Sequence, residues 1–237
     1  MARFVWCAWL ILLSIDPTMS RNLPSSERAT QAAQRVNAEL QAQFRALGAD
    51  WGAAVYVRIF KASDELELWV DTGERYQLLH TWPICTWSGG LGPKQRQGDG
   101  QAPEGYYQVG PQQLNPVSRF HLAFNLGYPN AYDRAHGRTG DYLMVHGNCV
   151  SIGCYAMGDA AIEQIYTLVA AALAHGQSQV PVHVFPFRMD AGWEQAHGNS
   201  EWLDFWQQLA AGYRSFGETG LPPQVKVVDR RYVLVER

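Results

Sequence analysis

From Ser25 to Leu47 the apolar residues Ala29, Ala32, Ala33, Val36, Leu40, Phe44 and Leu47 recur every three or four positions. That spacing is the period of one helical face, and Gly48 supplies a stop. The pattern then switches. Val55-Tyr56-Val57-Arg58-Ile59-Phe60 alternates, which predicts a strand over residues 54–60. Further strands are expected over 66–70 and 76–84, with Ser63-Asp64 and Asp71-Thr72-Gly73 as turns.

Residues 88–105 hold six glycines and two prolines, so no regular element is expected there. A loop of that length inside a compact domain is commonly functional, and a lid or a substrate wall is as good a reading as a plain surface loop. Strands over 105–109, 120–126 and 142–145 follow. Residues 125–140 are polar and aromatic, with turn signals at Pro129-Asn130 and His136-Gly137. Asp159 is the expected N-cap of a helix over 160–175, whose stripe is Ile162, Ile165, Tyr166, Val169 and Leu173. A strand over 182–185, an amphipathic helix over 193–213 and a hairpin of 225–228 with 232–235 complete the chain. Many strands with helices at the ends imply an α+β domain on a β-sandwich-like core. The expected organisation is a leader over 1–20, an N-terminal helical segment over 21–50, a catalytic domain over 51–189, and a C-terminal helix and hairpin over 190–237 packed on that domain.

The leader changes the compartment. Arg3 precedes an apolar run from Phe4 to Ile15, broken by Asp16-Pro17. The run is shorter than the roughly 20 residues of a spanning helix, so it reads as a secretory signal and implies a periplasmic or otherwise exported protein. The net charge is −3 and no basic run occurs, so nucleic acid is not an expected partner. Without the leader, Cys85, Cys149 and Cys154 remain, an odd number that leaves one thiol free in an oxidising compartment. Pairing of Cys149 with Cys85 or with Cys154 stays open. The default expectation for Cys85 and Cys149 is burial without bonding.

The chemistry concentrates in Val145-His146-Gly147-Asn148-Cys149-Val150-Ser151-Ile152-Gly153-Cys154-Tyr155-Ala156-Met157. A thiol attacks carbonyls as thiolate, which calls for a base and a field favouring negative charge. Cys154 is the candidate nucleophile and His146 the candidate general base and acid. The backbone N–H groups of Gly153 and Cys154 are candidate oxyanion donors, and the following helix N-terminus is expected near the sulfur. Ser151 is a supporting residue whose plainer role is to stabilise the turn. Asp133, Asn125, Asp141 or a backbone carbonyl could orient His146, while His121, on an alternating segment, better suits a core or surface position. His146, Cys149 and Cys154 also have ligand-type side chains, but no second cysteine pair accompanies them, so neither metal nor another cofactor is expected.

His-Gly followed by Ser-x-Gly-Cys resembles the signature of the L,D-transpeptidase catalytic domain, the YkuD-like family, from roughly Trp51 to Met189. Ser151-Ile152-Gly153-Cys154-Tyr155-Ala156-Met157, residues 124–130 (Phe-Asn-Leu-Gly-Tyr-Pro-Asn) and Trp87-Ser88-Gly89 resemble its YafK-type branch. The resemblance implies an L,D-transpeptidase-like fold and a cysteine thioester formed on peptidoglycan stem peptides. Most members carry His where Ile152 stands and Arg where Ala156 stands. The absent arginine and the branch tilt the expectation toward hydrolytic release of a murein-bound lipoprotein. The alternatives are crosslinking or protein attachment by transpeptidation, and a non-catalytic peptidoglycan-binding module. Arg119, Asn125 and Tyr128 are candidate substrate-binding residues, although Tyr128-Pro129-Asn130 equally suits a rigid turn.

Overall fold

The computed structural model describes residues 22–235, so the predicted leader lies outside the described residues. Helix α1 (Glu27–Ala46) begins where the Ser26 hydroxyl accepts a hydrogen bond from the Ala29 N–H at 3.1 Å. This partners an amide that no helical carbonyl reaches. The buried stripe is Ala32, Val36, Leu40 and Phe44, as the periodicity predicts, and the helix packs against α3 (Asp159–Ala174).

The larger sheet comprises β1 (Val55–Phe60), β2 (Glu65–Asp71), β3 (Tyr76–Pro83), β4 (Gly105–Val109) and β9 (Val180–Phe185), in the order β3-β2-β1-β9-β4. β1 runs parallel to β9; the other pairs are antiparallel. All six residues of β1 are buried because both faces of the sheet are covered. Val55, Val57 and Ile59 join a core shared with α1 and α3, whereas Phe60 packs with Phe205, Trp206 and Leu209 on the opposite face. Those last three belong to α5 (Leu203–Thr219). The single helix expected over 193–213 is in fact two, α4 (Trp193–His197) and α5. Gly198-Asn199-Ser200, a run of poor helix formers, interrupts it.

The smaller sheet has the order β5-β6-β7-β8, from β5 (Leu114–Asn115), β6 (Ala123–Asn125), β7 (Met144–His146) and β8 (Tyr155–Ala156). The strand expected over 120–126 shrinks to three residues, because His121 adopts a left-handed φ of 67° that breaks the alternation. Between β6 and β7 lies an unexpected short helix, α2 (Ala131–Ala135), started by a reciprocal cap between Asn130 and Asp133. Leu122, Phe124, Val145 and Tyr155 of this region enter the same core as Val57 and Leu68, so the two sheets share one interior. The hairpin of β10 (Val225–Val228) and β11 (Arg231–Leu234) forms as predicted, turning through Asp229 and Arg230 at positive φ.

Candidate active site

β7 and β8 run parallel, with His146 opposite Ala156. Cys154 lies two residues before Ala156, so the pleat carries its side chain to the face that holds His146. Between the two strands the chain makes an excursion that is held by named contacts. The Ser151 hydroxyl donates to the Cys154 carbonyl at 2.7 Å, accepts from the Gly153 N–H at 3.1 Å and lies 3.3 Å from the Ser88 hydroxyl. Ser151 therefore acts within the loop. Asp159 is the first residue of α3 rather than its cap, which is Gly158. Its carboxylate accepts from the Asn148 N–H at 2.7 Å and so ties the loop to the helix.

Two glycines are required here. Gly153 sits at φ 141°, and a Cβ there would press on the Leu143 side chain at 3.2 Å. A Cβ at Gly147 would lie 2.7 Å from the Asp159 carboxylate and 2.8 Å from the Phe120 carbonyl.

Cys85 and Cys149 form a disulfide, with 5.5 Å between their Cα atoms, and Cys154 is the free cysteine among the described residues. This corrects the expectation of unbonded burial: both bonded residues are exposed. The bridge pins the start of the catalytic loop to the segment after β3. There the Cys85 N–H also donates to the Ala156 carbonyl at 2.8 Å. Cys149 is thereby removed as a metal ligand, and the described residues contain no group of three or more His, Cys, Asp or Glu side chains able to hold an ion.

His146 is buried against the Phe120 ring, with centroids 4.7 Å apart. Its Nδ1 lies 2.6 Å from the Gly147 carbonyl oxygen. A carbonyl can only accept, so Nδ1 carries the proton and neutral His146 presents Nε2 as a base. The orienting group is thus a backbone carbonyl. Asp133 instead pairs with Arg138 at 2.7 Å, and the Asn125 side chain accepts from the Gly127 N–H. Burial lowers the His146 pKa, partly opposed by the Gly147 hydrogen bond.

The Cys154 sulfur accepts from the Met144 N–H at 3.4 Å and donates to the Tyr142 carbonyl at 3.6 Å. Burial raises its pKa above the ordinary thiol value, while the Met144 N–H and the Lys94 charge pull it down. Burial thus acts toward the thiol on Cys154 and the neutral imidazole on His146, against the thiolate expected from a nearby helix terminus.

Both side chains open into a cleft of about 750 Å³, which also takes in Arg119, Asp141, Ser151 and Gly153. The Gly153 N–H is already committed to Ser151, which leaves the Cys154 N–H as the candidate oxyanion donor. Arg119 reaches the cleft; Asn125 and Tyr128 do not line it. Tyr128 is buried, its hydroxyl donating to the Lys94 carbonyl at 3.2 Å, and Asn130 caps α2, as the turn reading implies. His121 pairs with Glu163 at 2.8 Å.

The glycine-rich segment forms a wall of the cleft through Lys94, Gln97 and Gly98, and it is laced rather than loose. The Asp99 carboxylate binds the Lys94 ammonium and three backbone N–H groups, those of Gln95, Arg96 and Gln101. Burial of Asp99 is more than offset by these donors, and its pKa falls to about 2. Behind it, buried Glu104 takes the Lys61 ammonium at 3.0 Å, the Gly92 N–H at 2.7 Å and the Trp206 indole N–H at 2.8 Å. Neither the Lys94 wall nor the disulfide carried a sequence signal that tied it to Cys154.

A free thiol just before β8 and a tautomer-fixed imidazole on β7 face one cleft, and the chain belongs to the L,D-transpeptidase catalytic domain (YkuD) family, which it matches over residues 54–184. It is 54% identical over 183 residues to the YafK protein of Escherichia coli (strain K12), covering 77% of this chain and 74% of that one; the YafK protein of Escherichia coli O157:H7 gives the same figures. Among solved structures, the helical cell shape determining protein Pgp2 of Campylobacter jejuni is 18% identical with a TM-score of 0.47, covering 80% of each chain. Bd1075 of Bdellovibrio bacteriovorus is also 18% identical, with a TM-score of 0.41 over 69% of this chain and 58% of that one.

Proposed function

We propose that this is an exported cysteine hydrolase of peptidoglycan stem peptides, which releases a protein held in amide linkage to the diaminopimelate residue. The observation that carries the reading is the placement of Cys154 and His146 in one cleft, with the Gly147 carbonyl leaving Nε2 free to take a proton. Nε2 accepts the thiol proton as sulfur attacks the carbonyl of the diaminopimelate L-centre. The tetrahedral oxyanion sits against the Cys154 N–H. The C–N bond then breaks, the amine leaves with the proton from His146, and a thioester remains. Water, giving its proton to Nε2, attacks that carbonyl, and the acid and the thiol are regenerated. Ala156, buried where crosslinking relatives carry a cation, favours water over an amine acceptor. The exposed disulfide supports an oxidising compartment.

Mass spectrometry of products from purified sacculi tests the reading. The linked peptide should be lost, no new diaminopimelate–diaminopimelate crosslinks should form, and added D-amino acids should be incorporated poorly. Abundant crosslinked dimers or rapid D-amino-acid exchange would make the enzyme a transpeptidase. N-terminal sequencing should find the mature chain beginning near Arg21.

A further inference from the structure

Eight large hydrophobic side chains are exposed among the described residues, and four of them, Val117, Tyr142, Val150 and Ile152, line the cleft of Cys154. Such clustering is not what scattered surface hydrophobics give. The loop that carries the nucleophile shows how the display is built. Ser151 turns inward to bond Cys154 and Gly153, so its neighbours on either side turn out; Val150 is 51% and Ile152 90% exposed. Both are branched, stiff side chains that hold their shape without packing partners. On the same cleft Tyr142, 69% exposed, is held at φ 53°, a backbone state that an aromatic residue adopts at a cost.

We propose that Val150 and Ile152, with Tyr142 on the same cleft, form an apolar lip that grips the polypeptide leaving group beside the scissile amide. The inference rests on the hydrolase reading above and names the side of the substrate that the lip reads. Anything joined to the attacked carbonyl must cross the rim of the cleft. The stem-peptide side bears carboxylates and suits the Arg119 cation on the same cleft. Apolar side chains offer such a peptide nothing, whereas a protein leaving group carries apolar residues that the lip can cover.

The test uses sacculi bearing an intact amide-linked protein, and the same sacculi trimmed by protease to a single-residue stub. Val150→Ser with Ile152→Ser removes the lip at two exposed positions outside the buried core. The double variant should lose about tenfold in kcat/KM on the intact protein and less than about twofold on the stub, which also serves as the control for folding. Equal losses on both substrates, or no loss on either, overturn the lip. A wild-type enzyme inert on both substrates overturns the hydrolase reading instead, and the lip with it.

Discussion

The five-stranded and four-stranded sheets of this protein are held by different means. In the larger one, strands of five to eight residues bury side chains such as Val57, Ile59, Leu66 and Leu68 completely. Its stability is a matter of area removed from water, spread over many residues. In the smaller one, β7 and β8 have three and two residues, too few for a ladder to fix the 148–153 excursion between them. A disulfide, a serine hydroxyl, an aspartate carboxylate and two obligatory glycines do so instead. Cys154 and His146 thus sit where the paired strands are very short. Substitutions should therefore separate cleanly, with turnover sensitive in one region and stability in the other.

The largest separation is expected from Cys154→Ala. Turnover of sacculi should fall by at least about a thousandfold, because no thioester can form, while the melting temperature barely moves. Near wild-type release by that variant would refute the mechanism. His146→Gln should follow with a loss on the order of 10² to 10⁴. The wild-type pH profile sharpens the point: His146 must be neutral to take the thiol proton, and burial lowers its pKa. Activity should hold as pH falls through 6.5, the ordinary imidazole value, and drop only below it.

Breaking the clasp comes next. Cys85→Ser with Cys149→Ser should cost roughly 2–4 kcal/mol of stability, measured by denaturant titration, because the bridge closes a long loop. Turnover below the melting transition should also fall, by about tenfold, since the bridge fixes the loop that carries the nucleophile. Wild-type turnover in the reduced enzyme would show that Ser151 and Asp159 suffice to hold the loop. The smallest effect on turnover belongs to Leu68→Ala in the larger sheet. Stability should drop by about 2–5 kcal/mol, with kcat within about twofold at a temperature where the variant stays folded.

The same division governs what could be read from sequence. α1, β1–β3, α3 and the C-terminal hairpin were legible because they are long enough to show a period. β5 and β8 are not; β7 (Met144–His146) overlaps the strand expected over 142–145, and the strand expected over 120–126 was cut short by a backbone turn at His121 that no side-chain pattern announces. α2 hid in a polar stretch because its start is a cap, Asn130 with Asp133, rather than a stripe. Cys154 and His146 stood out through the chemistry that their residue types allow in that spacing. Their setting did not. The Cys85–Cys149 bond spans 64 residues, Lys94 is one lysine in a glycine-rich run, and the Gly147 carbonyl that orients His146 has no letter in the sequence at all.

The bridge between the cleft wall and α5 has a consequence for where this protein can be cut. Glu104 reaches Trp206, and Gly92 lies so close to Trp202 that a Cβ would sit 2.4 Å from its indole nitrogen. Both tryptophans fall beyond residue 184, where the match to the catalytic domain ends. A fragment trimmed to that boundary would retain Cys154 and His146, yet it would strip the wall of its backing and leave a buried carboxylate short of a donor. The sequence frontier of the family and the mechanical frontier of the enzyme do not coincide. The last fifty residues are scaffolding for the active site rather than an appendix to it.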